Sequence, residues 1–237
     1  MILLDIGNTR VKAARSQDFG RISDRVVYGK QDIGSLLDYI AQYPKEPITY
    51  LATGDISDSL QTVLNQHKSL HITGSVQKPF SSDYTTLSTM GADRLAVISA
   101  AHKEGHSQAV LIIDAGTCIT YDLLDSAGVH RGGLISPGLQ MRLQAMAKFT
   151  SALPLVSIPE QLVFPGNSTE SAIQGGGLTG FIAEIEGIAA RFQNKYGTLY
   201  IYISGGDAGH VISNSGLQMH YDPDMVFKGL YILALCQ

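Results

Sequence analysis

Short apolar runs punctuate the chain, and two of them end alike. "MILLDIGNTRVK" opens the sequence and "VLIIDAGTCITYD" stands near its middle. In each, the run stops at an aspartate, Asp5 or Asp114, and a glycine and a threonine follow within four residues. After the first of these, "RVKAARS" and "RISDRVVYG" read as two strands joined by a turn at "QDFG", completing a meander. "PITYLATG" predicts a buried strand ending in Thr-Gly. "ISDSLQTVLNQHK" places Ile56, Leu60, Val63 and Leu64 at the spacing of an amphipathic helix. "LHITG" reads as a short strand, residues 75–90 as a loop, and "GADRLAVISAAHKEG" as a helix stopped by Gly105.

The second half repeats this order. "AVLIIDAG", "TCITYDLL" and "VHRGGLISPG" predict three strands, with a turn at "DSAG". Helices follow over "LQMRLQAMAKF" and residues 169–196, then the strand "TLYIYIS", a turn at "GGDA" and a closing helix "DPDMVFKGLYILALC" with Pro223 near its start. The expected organisation is therefore two similar domains, 1–106 and 107–237, joined near "EGHSQ".

Composition narrows the class. At 237 residues, 44% apolar and 16% charged, the chain has the makings of a globular core. A net charge of −4 without a Lys/Arg stripe argues against a nucleic-acid partner, though not against a nucleotide held by backbone N–H groups and a metal ion. Only three apolar residues follow Met1 before Asp5, and no run approaches 18, so neither a signal peptide nor a membrane span is expected. The two cysteines form no CxxC pair, and the default expectation is a cytoplasmic protein.

The repeated Asp-x-Gly turns carry the chemistry. A glycine turn after a strand lets backbone N–H groups approach a ligand, and the Asn8, Thr9 and Thr117 side chains add donors. A carboxylate at the strand end holds a cation and meets phosphate only through it. Two such turns facing across a cleft would clamp a magnesium nucleotide, with Lys12 directed at the phosphates. One copy alone would be an ordinary turn; the duplication is what argues for function.

The pair "DIGNT" and "DAGTCITYD", with "SGGDA" at 204–208, resembles the actin, Hsp70 and sugar-kinase superfamily of duplicated ribonuclease-H-like domains. More narrowly, "GADR" (91–94), "GGLISPGLQMR" (132–142), "STESAIQGG" (168–176) and "DPDMVFKGL" (222–230) resemble the type III pantothenate kinases. The resemblance implies an α/β, actin-like ATPase fold with the nucleotide cleft between the two domains. It also implies transfer of the ATP γ-phosphoryl group to the primary hydroxyl of pantothenate, the first step toward coenzyme A, by a homodimer.

On that resemblance, ATP would be met by Asp5, Ile6, Gly7, Asn8, Thr9, Arg10, Val11, Lys12 and Thr117, with the "SGGDA" glycines against the adenosine. Asp93 would be the catalytic base, and Tyr84, Gly91, Ala92, Asp93, Arg94 and Thr169 would hold pantothenate, Arg94 pairing with its carboxylate. Asp114 would hold a monovalent cation, potassium or ammonium, and Mg²⁺ would accompany ATP. Each role has a plainer reading: Asp93 as a helix-start carboxylate, Arg94 as a surface arginine, Tyr84 as a loop tyrosine, Thr169 as a helix N-terminal threonine. Cys118, where the family usually has alanine or serine, is expected to be a small packed residue. The four-apart histidines of "HKSLH" and "HKEGH" lack a nearby third ligand and read as solvated helix ends. A kinase with another hydroxyl acceptor, or a non-catalytic nucleotide-binding regulator, would share the Asp5 and Asp114 turns.

Overall fold

The computed structural model describes residues 1–159 and 161–237. The first half contains β1 (Ile2–Ile6), β2 (Arg10–Ser16), β3 (Ile22–Gly29), α1 (Ile33–Ala41), β4 (Ile48–Ala52), α2 (Asp58–Gln66), β5 (Ser69–His71) and α3 (Ala92–Glu104). There follow β6 (Ala109–Ala115), β7 (Cys118–Leu124), β8 (His130–Pro137), α4 (Leu139–Phe149) and α5 (Thr169–Tyr196). The chain closes with β9 (Leu199–Ser204), α6 (Ala208–Asn214), β10 (His220–Tyr221) and α7 (Met225–Leu235). Of these, α1, α6 and β10 go beyond the elements expected from the pattern.

Two compact units form. One comprises Met1–Gly105, Gly128–Arg131 and Asp224–Gln237; the other comprises His106–Ala127 and Gly132–Pro223. A division at 106/107 would give α7 to the second half, but α7 packs on α3 in the first unit. The reason is steric fit: at Gly229 a Cβ would lie 1.8 Å from the Ala96 carbonyl oxygen, so the bare glycine lets the two helices touch backbone to backbone.

In the first unit the strand order is β3-β2-β1-β4-β5, with β1 antiparallel to β2 and parallel to β4. The parallel pair needs a crossover, and α1 supplies it. Ile33, Leu36, Leu37 and Ile40 have the i, i+3, i+4, i+7 spacing that turns one face of α1 to the sheet. That face meets Ile2, Leu4, Ile6, Ile48 and Tyr50 in one core. Helix α3 is buried from Arg94 to Ala101, which explains its apolar sequence on nearly every side.

The second unit repeats the plan. Its order, β8-β7-β6-β9-β10, again sets a central strand antiparallel to one neighbour and parallel to the other, with α4 and α5 in the crossover. Leu111, Ile113, Tyr121, Phe181, Ile185 and Ile203 pack its core. Strands β1 and β6 are thus equivalent, and Asp5 and Asp114 stand at equivalent ends. The duplication read from the two aspartate turns is present in the topology.

Candidate active site

The first unit carries most of the expected residues. In the β1–β2 ladder Asp5 lies opposite Lys12, whose Nζ is 3.3 Å from Asp5 Oδ2. The turn between them is closed by the Gly7 N–H donating to the Arg10 carbonyl at 3.0 Å. A second loop braces it: the Thr53 and Gly54 N–H groups donate to the Ile6 carbonyl at 2.9 and 3.3 Å. A Cβ at Gly54 would come within 2.7 Å of the Gly7 carbonyl oxygen, so only glycine permits this approach. The Lys30 ammonium closes the far side, donating to the Asp55 carbonyl at 3.0 Å.

The start of α3 supplies the other half. Asp93 Oδ1 accepts the Arg94 N–H at 2.7 Å, and a Cβ at Gly91 would lie 2.5 Å from that oxygen. Gly91 therefore leaves room for the carboxylate to fold back over the helix start. Burial pushes the Asp93 carboxyl above the usual carboxylate range, and the nearby Asp5 charge adds to the push. The Arg94 N–H and guanidinium oppose it without cancelling it. Asp93 therefore lies close enough to Asp5 to feel its charge. Ala92 is buried behind them. Arg94 is only 4% exposed, and its Cζ stands 5.2 Å from the Tyr84 ring centroid, a cation–π distance. Arg94 is thus a buried arginine, contrary to its plainer reading.

In the second unit, Asp114 sits at the end of β6, opposite Thr120 of β7 and Ser204 of β9. The Gly116 N–H donates to the Cys118 carbonyl at 3.1 Å and closes the turn carrying Thr117, whose side chain is exposed. Two further turns press on this one. The Gly138 N–H donates to the Thr117 carbonyl at 3.1 Å, and a Cβ at Gly138 would lie 2.2 Å from the Gly116 carbonyl oxygen. Gly205, at φ +96°, lies so near Ala115 that a Cβ would come within 2.3 Å of its carbonyl oxygen. Asp207 completes the stitching: its N–H donates to the Ala115 carbonyl at 2.9 Å, and its carboxylate accepts from the Leu139 N–H at the start of α4. Burial pushes the Asp207 carboxyl up. Behind α4, Glu184 accepts from Tyr121 Oη at 3.0 Å, Ser136 Oγ at 3.1 Å and Arg142 Nη2 at 2.5 Å, anchoring the "GGLISPGLQMR" segment.

Thr169 is the first residue of α5 and exposed, but the cap belongs to Ser168 and Ser171, which exchange backbone-to-side-chain hydrogen bonds as a capping box. The expectation of a packed Cys118 is corrected: it is exposed, at the first position of β7, next to the turn that carries exposed Thr117. Three of the four spaced histidines are engaged separately. His71 stacks on Tyr50 with centroids 4.5 Å apart, His102 Nδ1 is 3.1 Å from the Gly128 carbonyl oxygen, and His106 stacks on Tyr200. Among the described residues no three His, Cys, Asp or Glu side chains gather as a metal cluster, and no helix is long and apolar enough to cross a membrane.

Sequence reasoning missed the bracing residues. Thr53-Gly54 carried a signal, a Thr-Gly pair closing a buried strand, and Asp207 lay inside a quoted glycine turn. Glu184, a carboxylate within a long helix, carried none.

Two sheets of identical order, each with a glycine turn after a central strand that ends in aspartate, define the actin-like ATPase class of fold. Solved structures agree. A Campylobacter jejuni protein described as a conserved Baf family transcriptional activator superposes with a TM-score of 0.63 at 20% identity, covering 99% of this chain and 98% of that one. The Clostridium difficile activator of 2-hydroxyisocaproyl-CoA dehydratase, with bound ADPNP, gives 0.54 at 14% identity, covering 100% and 95%. Sequence comparison is narrower. The type III pantothenate kinase family matches residues 1–191. The Bacteroides fragilis type III pantothenate kinase is 36% identical over 97% of this chain and 95% of its own, and that of Christiangramia forsetii is 36% identical over 87% and 86%. The chain belongs to the type III pantothenate kinase family.

Proposed function

We propose that this protein transfers the γ-phosphoryl group of ATP to the primary hydroxyl of pantothenate, giving 4'-phosphopantothenate for coenzyme A synthesis. One observation supports this most directly: Asp93, a carboxylate raised by burial and held by the Arg94 N–H, is near enough to Asp5 on the first glycine turn to feel its charge. Phosphoryl transfer passes through a loose transition state, so the protein's work is positioning and charge neutralisation. In this reading the turn from Asp5 to Lys12 and Thr117 receive the phosphates with their N–H groups, hydroxyls and ammonium. Asp93 accepts the hydroxyl proton as the new bond to phosphorus forms; its raised pKa makes it a better base than an ordinary aspartate. Arg94, Tyr84, Gly91, Ala92 and Thr169 receive the acceptor, with the guanidinium fork on its carboxylate.

Asp5 and Asp114 are oxygen donors at strand ends, a chemistry that fits hard cations. We assign Asp5 to Mg²⁺ with ATP and Asp114 to potassium or ammonium; bound there, the cations would offset phosphate charge. A homodimer is supported by an apolar surface of the second unit, where Phe149, 80% exposed, lines a cavity of about 470 Å³ with Met141, Ala145 and Met146. A cytoplasmic location, without nucleic-acid or membrane partners, completes the reading. The test is ADP release by the intact protein with ATP, magnesium and potassium, with and without pantothenate. ADP release stimulated by pantothenate and not by hexoses supports the proposal; release independent of any acceptor, or none at all, refutes it.

A further inference from the structure

His130 is fully buried, yet it belongs to none of the groups assigned above. It opens β8, and residues Gly128–Arg131 pack within the first unit. There it is stitched to the loop before Tyr84. The His130 N–H donates to the Ser81 carbonyl and the Asp83 N–H donates to the His130 carbonyl, both at 2.9 Å, a parallel bridge centred on Ser82. The side chains repeat the link: His130 Nδ1 is 2.7 Å from Ser82 Oγ, and the same Oγ accepts the Tyr84 N–H at 3.0 Å. The Ser82 hydroxyl thus joins the imidazole Nδ1 to the Tyr84 backbone, since a hydroxyl can serve two partners at once. The ring is held between Phe80 and Tyr84, with centroids 5.9 and 6.1 Å away, and Arg131 pairs with Asp83 at 2.6 Å.

The relay runs from His130 through Ser82 to the backbone of Tyr84, and from the Tyr84 ring to the Arg94 guanidinium at 5.2 Å. We infer that His130 is a positioning residue for the acceptor: through Ser82 it holds Tyr84 against Arg94 and so sets the affinity for a carboxylate-bearing acceptor without touching it. This rests on the assignment of Tyr84 and Arg94 to pantothenate. The contacts named in this relay lie on the Tyr84 and Arg94 side of the site, so the effect should fall chiefly on the acceptor.

The experiment compares wild type with Ser82→Ala, His130→Leu and His130→Asn, measuring KM for pantothenate and for ATP, kcat and thermal stability. Losing one neutral hydrogen bond corresponds to about two- to tenfold, and we expect the pantothenate KM of Ser82→Ala and His130→Leu to rise by that factor while the ATP KM stays level. Asn carries an oxygen near the Nδ1 position, so His130→Asn should recover most of the pantothenate affinity, which a purely space-filling role would not produce. Should His130→Leu fail to fold, Ser82→Ala, which removes one half-buried hydroxyl, decides the matter. An unchanged pantothenate KM in Ser82→Ala, or equal shifts for both substrates, overturns the positioning role while leaving the kinase assignment intact. A wild-type protein without pantothenate-dependent turnover overturns the assignment itself and the acceptor role with it.

Discussion

Replacing Asp93 with asparagine separates the base from the helix-start carboxylate, because the structure gives the two readings different consequences. Asparagine keeps the volume and an oxygen that accepts the Arg94 N–H, now made to Asp93 Oδ1 at 2.7 Å, so the start of α3 is preserved. It cannot take up a proton. A general base contributes about 10²–10⁴-fold, or about 3–5 kcal/mol of barrier, and kcat should fall by that much. Stability should move the other way or not at all. The native state raises the Asp93 pKa, chiefly through burial, so it binds this proton more readily than the unfolded chain. The group's contribution to stability therefore diminishes as pH rises from below the ordinary value of 3.8 through the raised one, and at neutral pH the variant is relieved of that cost. By the same shift, the acid limb of the wild-type kcat/KM profile should lie above the ordinary carboxylate value, with activity lost as pH falls through it. Steady-state kinetics, calorimetric binding of each substrate and a melting curve read all three. Turnover above about a tenth of wild type, less than the smallest typical base effect, would refute the assignment and leave Asp93 as a helix-start carboxylate.

Other perturbations follow from the same geometry. Gly91→Ala would bring a methyl within 2.5 Å of Asp93 Oδ1 and push the carboxylate aside; kcat should drop about ten- to hundredfold with the melting temperature nearly unchanged. Arg94→Lys keeps the charge but loses the fork, so the pantothenate KM should rise about tenfold with the ATP KM unaffected; the opposite pattern would put Arg94 at the nucleotide. Activity in a sodium-only buffer free of ammonium should be poor and recover with potassium, a dependence that Asp114→Asn should abolish. Gly205→Ala forces a methyl toward the Ala115 carbonyl at φ +96° and should cost about 2 kcal/mol, lowering the melting temperature by about 4–8 °C in a scanning calorimeter.

What the sequence determined by itself is local. An apolar run ending in Asp, with glycine next, is dictated by the strand and turn the backbone must make there, so Asp5, Asp114 and their duplication were legible without coordinates. The Ile33, Leu36, Leu37, Ile40 spacing of α1 is equally local. The "GADR" motif marked Asp93 and Arg94 through resemblance, but not their surroundings. Only the tertiary structure placed Arg94 out of solvent against Tyr84, set Asp93 near enough to Asp5 to feel its charge, and exposed Cys118. It also returned α7 to the first unit, where Gly229 meets Ala96. Ser82 and His130 are 48 residues apart, and their hydrogen bond leaves no periodicity in either segment. Turns and amphipathic faces are imposed by neighbours along the chain and are written in its order; burial, carboxylate pKa and side-chain relays come from neighbours in space, and packing alone selects them.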